Sequence, residues 1–238
     1  MNSDASNLFI RSPTTYDLRF EVKFAVEECY SSELNSWVAL HPARMRRAYP
    51  ERWVNSLYFD DLDLRCLAEN YAGISHRMKA RFRWYGNLEV PETGTLEFKI
   101  RCNGLGRKIM FPLDQPEIRH GMRASKFTRK LWDAFDPGAE SVANRFSQPI
   151  VLIRYLRGYY ESFDKKIRLT LDKHLTCYNQ RDGSQLNFQK PSATLARKFA
   201  ILEAKASSEH QSELSYALIN IPARRSRFSK YVWAVNQP

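Results

Sequence analysis

The chain has 238 residues, 43% of them hydrophobic, and its 37 Lys and Arg residues outnumber 26 Asp and Glu residues to give a net charge of +11. This length and apolar content can bury a sizeable core, and the charge favours an anionic partner: nucleic acid, membrane headgroups or phosphorylated small molecules. No stretch approaches the roughly 18 apolar residues of a membrane span, and the N-terminus lacks a basic region followed by an apolar run, so we expect a cytoplasmic protein without a membrane span.

The first part of the chain predicts a flexible segment followed by a strand. Residues 1–17 are polar and are expected to be flexible, and residues 18–238 are expected to form a single domain. Residues 19–26 alternate between polar and apolar side chains, which places Arg19, Glu21 and Lys23 on one strand face. A short helix over 31–40, a strand over 54–61 and a helical turn over 64–70 follow.

Residues 76–86 carry the clearest pattern in the chain, because cations occupy every second position and apolar residues fill the gaps. In a β-strand the cations would share one face. They are Arg77, Lys79, Arg81 and Arg83. Neighbouring cations about 7 Å apart would repel by about 2 kcal/mol at an effective dielectric of about 20. Either water and salt screen them on an exposed strand, or an anion compensates them.

The same alternation recurs in later segments, predicted as strands over 95–101, 151–160, 167–172 and 200–206. Their polar faces carry Glu97, Lys99 and Arg101, then Tyr155, Arg157 and Tyr159, then Arg168, Thr170 and Asp172, then Glu203 and Lys205. For the strand over 151–160 the pattern does not decide which side chains face the charged side, because Arg154 lies on the face opposite to Tyr155, Arg157 and Tyr159.

The segments between these strands predict helices and turns. Helical periodicity covers residues 125–143, with a break near Pro137 and Gly138, and residues 212–219. Residues 103–108 contain two glycines that could form a phosphate-binding loop, but they lack the Walker spacing, so a plain turn is favoured. The four cysteines have no CxxC spacing, which predicts reduced, partly buried thiols and neither a zinc site nor a disulfide framework.

At least five predicted strands therefore carry a charged face of mainly positive sign. An ordinary sandwich would turn these faces to water. A closed barrel would instead turn them inward around a solvated tunnel, with the apolar faces covered by the helices. Cations packed that closely around a few carboxylates are stable only if a polyanion joins them, which would make such a tunnel a phosphate site, with room for a metal ion.

Several short sequence elements follow one another in a distinctive order. They are Arg-Phe-Glu-Val-Lys-Phe, Ser-Leu-Tyr-Phe-Asp, Lys-Ala-Arg-Phe-Arg-Trp-Tyr-Gly, Leu-Glu-Phe-Lys, Tyr-Leu-Arg, Arg-Leu-Thr-Leu-Asp, Leu-Glu-Ala-Lys and Phe-Ser-Lys-Tyr. From about residue 16 to residue 235 this set resembles the VTC domain, the polyphosphate polymerase branch of the triphosphate tunnel metalloenzymes. The resemblance implies an α+β fold with a closed antiparallel eight-stranded β-barrel around a basic tunnel, and helices packed outside.

The resemblance also implies an activity, the transfer of the γ-phosphate of ATP to a polyphosphate chain with a divalent metal, Mn²⁺ or Mg²⁺. The residues that it marks as catalytic are Arg81, Arg83, Lys99, Arg157, Arg168 and Lys230. Substrate-binding roles are expected for Lys23 and Ser229, and on the same strand faces for Arg19, Lys79, Tyr155 and Lys205. Glu203 resembles the acidic residue that binds the metal ion in that family, and Glu21 is the second candidate for a metal ligand. For each cation, an ion pair across the barrel, such as Lys99 with Glu97, is the structural alternative.

The first strand departs from the hydrolytic relatives, which carry Glu-x-Glu-x-Lys where this chain has Arg19-Phe20-Glu21-Val22-Lys23. An arginine in place of a carboxylate weakens metal binding and strengthens anion binding, which favours a polymerase over a triphosphatase. Two alternatives stay open: a triphosphate or polyphosphate hydrolase of the same fold, and a non-catalytic module that binds polyphosphate or nucleic acid. Nucleic acid is the less favoured partner, because the charges alternate along strands and do not cluster on one helix.

Overall fold

The computed structural model describes residues 19–102, 105–135, 140–192 and 198–238. Within these ranges the strands are β1 (Arg19–Glu27), β2 (Arg46–Asp60), β3 (Arg77–Tyr85), β4 (Thr93–Cys102), β5 (Leu105–Asp114), β6 (Gln148–Glu161), β7 (Ile167–Asn179) and β8 (Phe199–Ser207). The α-helices are α1 (Ser31–Ala39), α2 (Arg65–Tyr71), α3 (Ala124–Asp133), α4 (Glu140–Arg145), α5 (Gln211–Ala217) and α6 (Lys230–Val235). Two short 3-10 helices, Glu28–Tyr30 and Ser208–His210, precede α1 and α5.

The eight strands form one sheet in the order β1-β8-β7-β6-β2-β3-β4-β5, and every neighbouring pair is antiparallel. β1 and β5 are its two edges, and no ladder joins them in the part of the chain that the structure describes. The α+β class is as predicted. The closed β-barrel is wrong, because the sheet stays open between β1 and β5.

The open sheet is nevertheless strongly curved. β1 and β4 are six places apart in the strand order, roughly 29 Å in a flat sheet with strands about 4.8 Å apart. Yet Lys99 Nζ on β4 lies 3.5 Å from Glu21 Oε2 on β1. Two side chains cannot bridge the flat distance, so the sheet curls until its charged side forms a concave face. The charges are therefore enclosed by curvature and not by barrel closure.

The free edge of β1 is covered by the C-terminal part of the chain, which explains why β5 does not pair with it. Phe24 forms an antiparallel bridge with Arg225, and the Ser226 N–H donates to the Lys23 carbonyl at 2.8 Å. Backbone groups engaged in this way are no longer available to another strand. Residues 224–231 form a basic, aromatic stretch without the alternation of a strand, so this edge partner could not be predicted from the sequence.

Helices cover the outer, convex face of the sheet in two apolar layers. Val22, Leu169 and Leu202, from β1, β7 and β8, belong to one layer with side chains of α1 and α5. Aromatic rings dominate the other layer: the Phe82 and Phe127 centroids are 5.5 Å apart, and those of Phe98 and Trp132 are 6.0 Å apart. Because each fully buried ring or branched chain stabilises the fold by roughly 1.5–3 kcal/mol, these layers can hold the curved sheet in shape. The prediction that the apolar strand faces pack under helices is confirmed.

A buried carboxylate fixes two helices to the end of β2. Asp60 accepts hydrogen bonds from the backbone N–H groups of Cys66 at 2.9 Å and Leu67 at 3.1 Å, so it satisfies the start of α2. The Tyr231 hydroxyl, in the first turn of α6, donates to Asp60 Oδ2 at 2.5 Å. α6 is thereby held against the concave face, where it brings Ser229 and Lys230.

Most predicted elements are present, with extended or divided boundaries. β2 begins eight residues before the predicted strand, β5 was not predicted at all, and the helix over 125–143 is divided into α3 and α4. The parity of β6 is now decided: Tyr155 and Arg157 face the concave side, and Arg154 stacks on Trp53 with 4.4 Å between the guanidinium carbon and the ring centre. Residues 1–17 lie outside the described residues, as do residues 103–104 of the turn predicted over 103–108. The remaining residues of that segment, 105–108, belong to β5, so the turn prediction is wrong for them.

Two further sequence expectations bear on the environment of the protein. Cys29 is exposed and Cys66 and Cys177 are buried, all three as free thiols. In the described ranges, no helix has both the length and the apolar character that a membrane crossing requires. The cytoplasmic location stays a prediction.

Candidate functional site

Three clusters of cations around carboxylates organise the concave face, and the first is built around Glu97 on β4. Arg81 on β3 donates from Nε to Glu97 Oε2 at 2.6 Å, and Lys108 Nζ on β5 lies 2.7 Å from Oε1. Arg81 also donates to the Tyr58 hydroxyl at 3.0 Å. Burial opposes ionisation of Glu97, but Arg81, Arg83 and Lys108 outweigh it and hold its pKa well below the ordinary value. The carboxylate is therefore a fixed negative charge that orients the cations of the two neighbouring strands, β3 and β5.

The second cluster is built around Asp172 on β7, which is fully buried. Arg157 on β6 donates to both carboxylate oxygens, at 2.5 and 2.7 Å, and Lys230 Nζ on α6 lies 2.6 Å from Oδ2. Burial alone would raise the pKa of Asp172, but Arg157 and Lys230 together lower it. Two cations thus share one carboxylate, which leaves the cluster positively charged.

The third cluster contains Glu21 on β1 and Glu203 on β8, which share Lys23. Lys23 Nζ lies 3.0 Å from Glu21 Oε1 and 3.2 Å from Glu203 Oε1. Lys205 Nζ is 3.0 Å from Glu203 Oε2, and Lys99 reaches Glu21 from the far side of the curved sheet. Burial opposes ionisation of Glu21, yet the adjacent lysines, Lys23 foremost, lower its pKa to about 2. Both carboxylates are therefore ionised at neutral pH.

Arg83 lies between the first two clusters and is buried. Its guanidinium donates to the Tyr155 hydroxyl at 3.1 Å and to Ser56 Oγ at 3.4 Å, and it is 3.8 Å from Glu97 Oε2. Neutral hydroxyl acceptors orient the guanidinium without neutralising it. Arg83 therefore contributes almost a full positive charge to the site.

Lys79 contacts no carboxylate at all among the described residues. Its ammonium group donates to Ser229 Oγ at 3.1 Å and lies 5.9 Å from the centre of the Tyr231 ring. Burial, together with the positive charges of Lys23 and Lys99, lowers the pKa of Lys79 to about 7. Burial is the main cause, so Lys79 is a partly buried cation that has no counter-charge among the described residues.

The sequence-predicted site residues divide into three groups. Those gathered on the concave face are Lys23, Lys79, Arg81, Arg83, Lys99, Tyr155, Arg157, Lys205, Ser229 and Lys230, together with Glu21 and Glu203. Arg168 is exposed near the start of β7 and forms no ion pair with a described residue. Arg19 begins β1, but its side chain lies outside the described part of the chain. The structural alternative, an ion pair, holds for Lys99, but its partner is Glu21 and not Glu97.

Three residues of the site were missed by sequence reasoning: Ser56, Tyr58 and Lys108. Lys108 lies opposite Lys99 in the β4–β5 ladder, so recognising β5 as a strand would have found it. Ser56 and Tyr58 share a parity on β2, but a serine and a tyrosine in a strand give no signal of their own.

The charge balance of the site is strongly positive. Its cations are Lys23, Lys79, Arg81, Arg83, Lys99, Lys108, Arg157, Lys205 and Lys230. The four carboxylates that face them are Glu21, Glu97, Asp172 and Glu203. Ionic groups removed from water are costly unless opposite charge compensates them, so the surplus indicates a polyanionic ligand.

The profile of the VTC domain matches residues 18–237. The chain belongs to the VTC-domain family. A comparison with curated proteins finds no match. Solved structures that resemble this VTC domain include an X-ray structure of a candidate adenylate cyclase from Vibrio parahaemolyticus, with 9% sequence identity, a TM-score of 0.42, and coverage of 85% of this chain and 83% of that chain.

The VTC resemblance implies a divalent metal, and the side chains of the site allow a test of that expectation. No group of three or more His, Cys, Asp or Glu residues in the described ranges is arranged to hold a metal ion. Glu21 and Glu203, however, are two ionised carboxylates within 3.2 Å of the same ammonium group of Lys23. Mg²⁺ sites of phosphoryl-transfer enzymes use one or two carboxylates and take further oxygens from substrate phosphates. The pair therefore fits a half-site that a bound polyphosphate would complete.

Proposed function

We propose that this VTC domain is a polyphosphate polymerase that transfers the γ-phosphate of ATP to the end of a polyphosphate chain. The observation that carries the proposal is the surplus of positive charge on the concave face, where, among the described residues, nine cations face four carboxylates and Lys79 contacts none of the four. An inorganic phosphate chain carries negative charge at regular short intervals and so fits a row of alternating cations on adjacent strands. Membership of the VTC-domain family points to the same substrate class.

The side chains of the face supply what phosphoryl transfer requires, which is positioning and neutralisation of charge on the transferred group. Arg81, Arg83 and Arg157 are held by fixed acceptors, so their guanidinium forks are oriented before a ligand binds. Lys79, Lys99 and Lys230 act as point charges. The end of a phosphate chain is already an ionised nucleophile, so no general base is needed, and the three described clusters contain no histidine.

Glu203 and Glu21 are the residues that would hold Mn²⁺ or Mg²⁺ in this proposal. Bound there, the ion would add positive charge beside the phosphate oxygens. Lys23 lies between the two carboxylates and keeps both of them ionised and oriented. Arg168, exposed and without an ion pair among the described residues, is proposed to meet the phosphate chain where it leaves the face.

The proposal is tested by incubating the purified protein with ATP and Mn²⁺ or Mg²⁺ and separating the products by gel electrophoresis. A polymerase yields long-chain polyphosphate and ADP. Free phosphate without polymer would assign hydrolysis of triphosphates or polyphosphate. Tight binding of polyphosphate with neither product would leave a binding module, and the polymerase proposal would be wrong.

A further inference from the structure

An arginine and three tyrosines gather at one end of the concave face, outside the three clusters described above. The guanidinium carbon of Arg52 lies 4.0 Å from the ring centre of Tyr85, 5.0 Å from that of Tyr159 and 6.0 Å from that of Tyr49. Arg52 Nε also donates to the Tyr159 hydroxyl at 3.2 Å, and the rings of Tyr49 and Tyr159 meet edge to face at 5.8 Å. We call these four residues the Arg52 cluster.

The strand registers place the Arg52 cluster next to the proposed phosphate site. Tyr85 follows Arg83 by two residues on β3, and Tyr159 follows Arg157 by two residues on β6, so each ring shares its strand face with one of those arginines. Arg52 pairs directly with Arg157 across β2 and β6. The cluster is therefore one step, about 7 Å, further along the same concave face.

The composition of the Arg52 cluster differs from that of the rest of the face. No carboxylate of a described residue pairs with Arg52, and the surrounding groups are aromatic. Two of the three rings are open to solvent, since Tyr49 is 61% exposed and Tyr85 is 44% exposed, while Tyr159 is half-buried. Tyrosines that served only to pack the sheet would bury their faces, whereas exposed rings beside a guanidinium are typical of surfaces that stack nucleobases.

We propose that the Arg52 cluster stacks the base of the nucleotide substrate while the phosphates of that nucleotide lie on the concave face. This inference rests on the proposed function, because it places a nucleoside triphosphate on the cations around Arg83. The ribose and the α-phosphate would bridge the single strand step between Arg83 and Tyr85. An inorganic phosphate chain has no aromatic group, so the cluster adds nothing to its binding and gives the site a preference that depends on the base.

The test compares the binding of ATP with that of tripolyphosphate by isothermal titration calorimetry, because tripolyphosphate carries the phosphates without the base. The variants are Tyr85→Ala, Tyr85→Phe and the double variant Tyr49→Ala/Tyr85→Ala. Tyr216→Ala, on α5 and 78% exposed, is the matched control for loss of an exposed tyrosine. We expect the double variant to bind ATP at least about fivefold more weakly. Its affinity for tripolyphosphate should stay within twofold, and Tyr85→Phe and Tyr216→Ala should change neither.

Four results would overturn the inference. They are an unchanged affinity for ATP in the double variant, an equal loss of affinity for both ligands, a wild-type protein that binds tripolyphosphate but not ATP, and a single-stranded oligonucleotide whose binding alone depends on the tyrosines. The first, second and fourth results leave the proposed function intact. The third leaves the phosphate site intact but removes ATP as the phosphate donor, so it also contradicts the proposed polymerase activity. A wild-type protein that binds neither ATP nor tripolyphosphate would overturn the inference and the proposed function together.

Discussion

Lys230, the first residue of the C-terminal helix, places its ammonium group 2.6 Å from Asp172 Oδ2 on β7. The other side of that carboxylate is held by the Arg157 guanidinium. A residue near the end of the chain is thus tied to the middle of the sheet by a buried ion pair. This contact, together with the hydrogen bond from Tyr231 to Asp60, places Ser229 and Lys230 on the concave face.

Replacing Asp172 with Asn should destabilise the fold strongly, because the amide leaves the buried Arg157 without the carboxylate it pairs with and leaves Lys230 only Glu203, whose Oε1 is 3.7 Å from Nζ. Loss of one partner of a buried pair costs about 3–5 kcal/mol, and we expect a decrease in the free energy of unfolding of that size in urea titrations. Glu213→Gln is the control, since its pair with Lys166 is exposed and contributes about 0–1 kcal/mol. Equal losses in the two variants would show that the buried pair has no special weight.

Replacing Glu203 with Gln separates a metal ligand from a structural counter-ion. If Glu203 holds the metal, turnover should fall on the order of 100-fold, the upper range seen when groups supporting a metal site are lost. Tripolyphosphate affinity should stay equal or increase, because a negative charge has left a cationic face. Glu209→Gln, an exposed carboxylate on the neighbouring 3-10 helix, should keep full activity. Full metal-dependent turnover in folded Glu203→Gln protein would move the metal site elsewhere.

Arg83→Ala should weaken the binding of tripolyphosphate more than the loss of one positive charge elsewhere on the protein does. The Arg83 guanidinium is buried and held by neutral hydroxyls, so it is free to donate charge-assisted hydrogen bonds worth about 1.5–3 kcal/mol. We expect a 10- to 100-fold weaker affinity for tripolyphosphate, measured by calorimetry. Arg129→Ala removes the same charge from the exposed side of α3 and should change the affinity less than threefold. Similar losses in both variants would mean that only net charge matters.

Lys79 should make the stability of the ligand-free protein depend on pH. Its pKa is about 7 in the folded protein and ordinarily 10.5, so between these values the unfolded chain binds more protons than the folded protein. The free energy of unfolding should therefore gain from Lys79 as the pH rises from about 7 to 10, and lose this gain as the pH falls. Lys79→Met should flatten the profile in that window. Identical pH profiles for wild type and Lys79→Met would contradict the pKa assignment.

The local chemistry of this site could be read from the sequence, but its enclosure could not. Alternation along β3 placed Lys79, Arg81 and Arg83 on one face, because side chains of a strand alternate with a period of two. This period does not depend on whether the sheet is open or closed. Whether β1 meets β5 depends on a competitor for the edge of β1, and that competitor is an irregular segment near Arg225. A segment without periodicity leaves no such signal in the sequence.

The strand β5 was also missed in the sequence, because turn residues hid a strand that is present. β5 (Leu105–Asp114) begins between two closely spaced glycines, Gly104 and Gly106, and the turn predicted over 103–108 therefore overlaps its first residues. The strand also contains Pro112. An edge strand tolerates such a proline because one row of its N–H groups needs no ladder partner. Lys108, which β5 brings to Glu97, was therefore lost from the predicted site together with the strand.

If the concave face is a polyanion site with unbalanced positive charge, tripolyphosphate should stabilise the folded protein, and thermal unfolding in low salt measures this stabilisation. A ligand that binds only the folded state at 100 times its Kd stabilises that state by about 2.7 kcal/mol. For a chain of this size we therefore expect the Tm to rise by about 5–10 °C, and by clearly less in Arg83→Ala. No rise in Tm at millimolar tripolyphosphate would mean that the concave face is not a polyanion site.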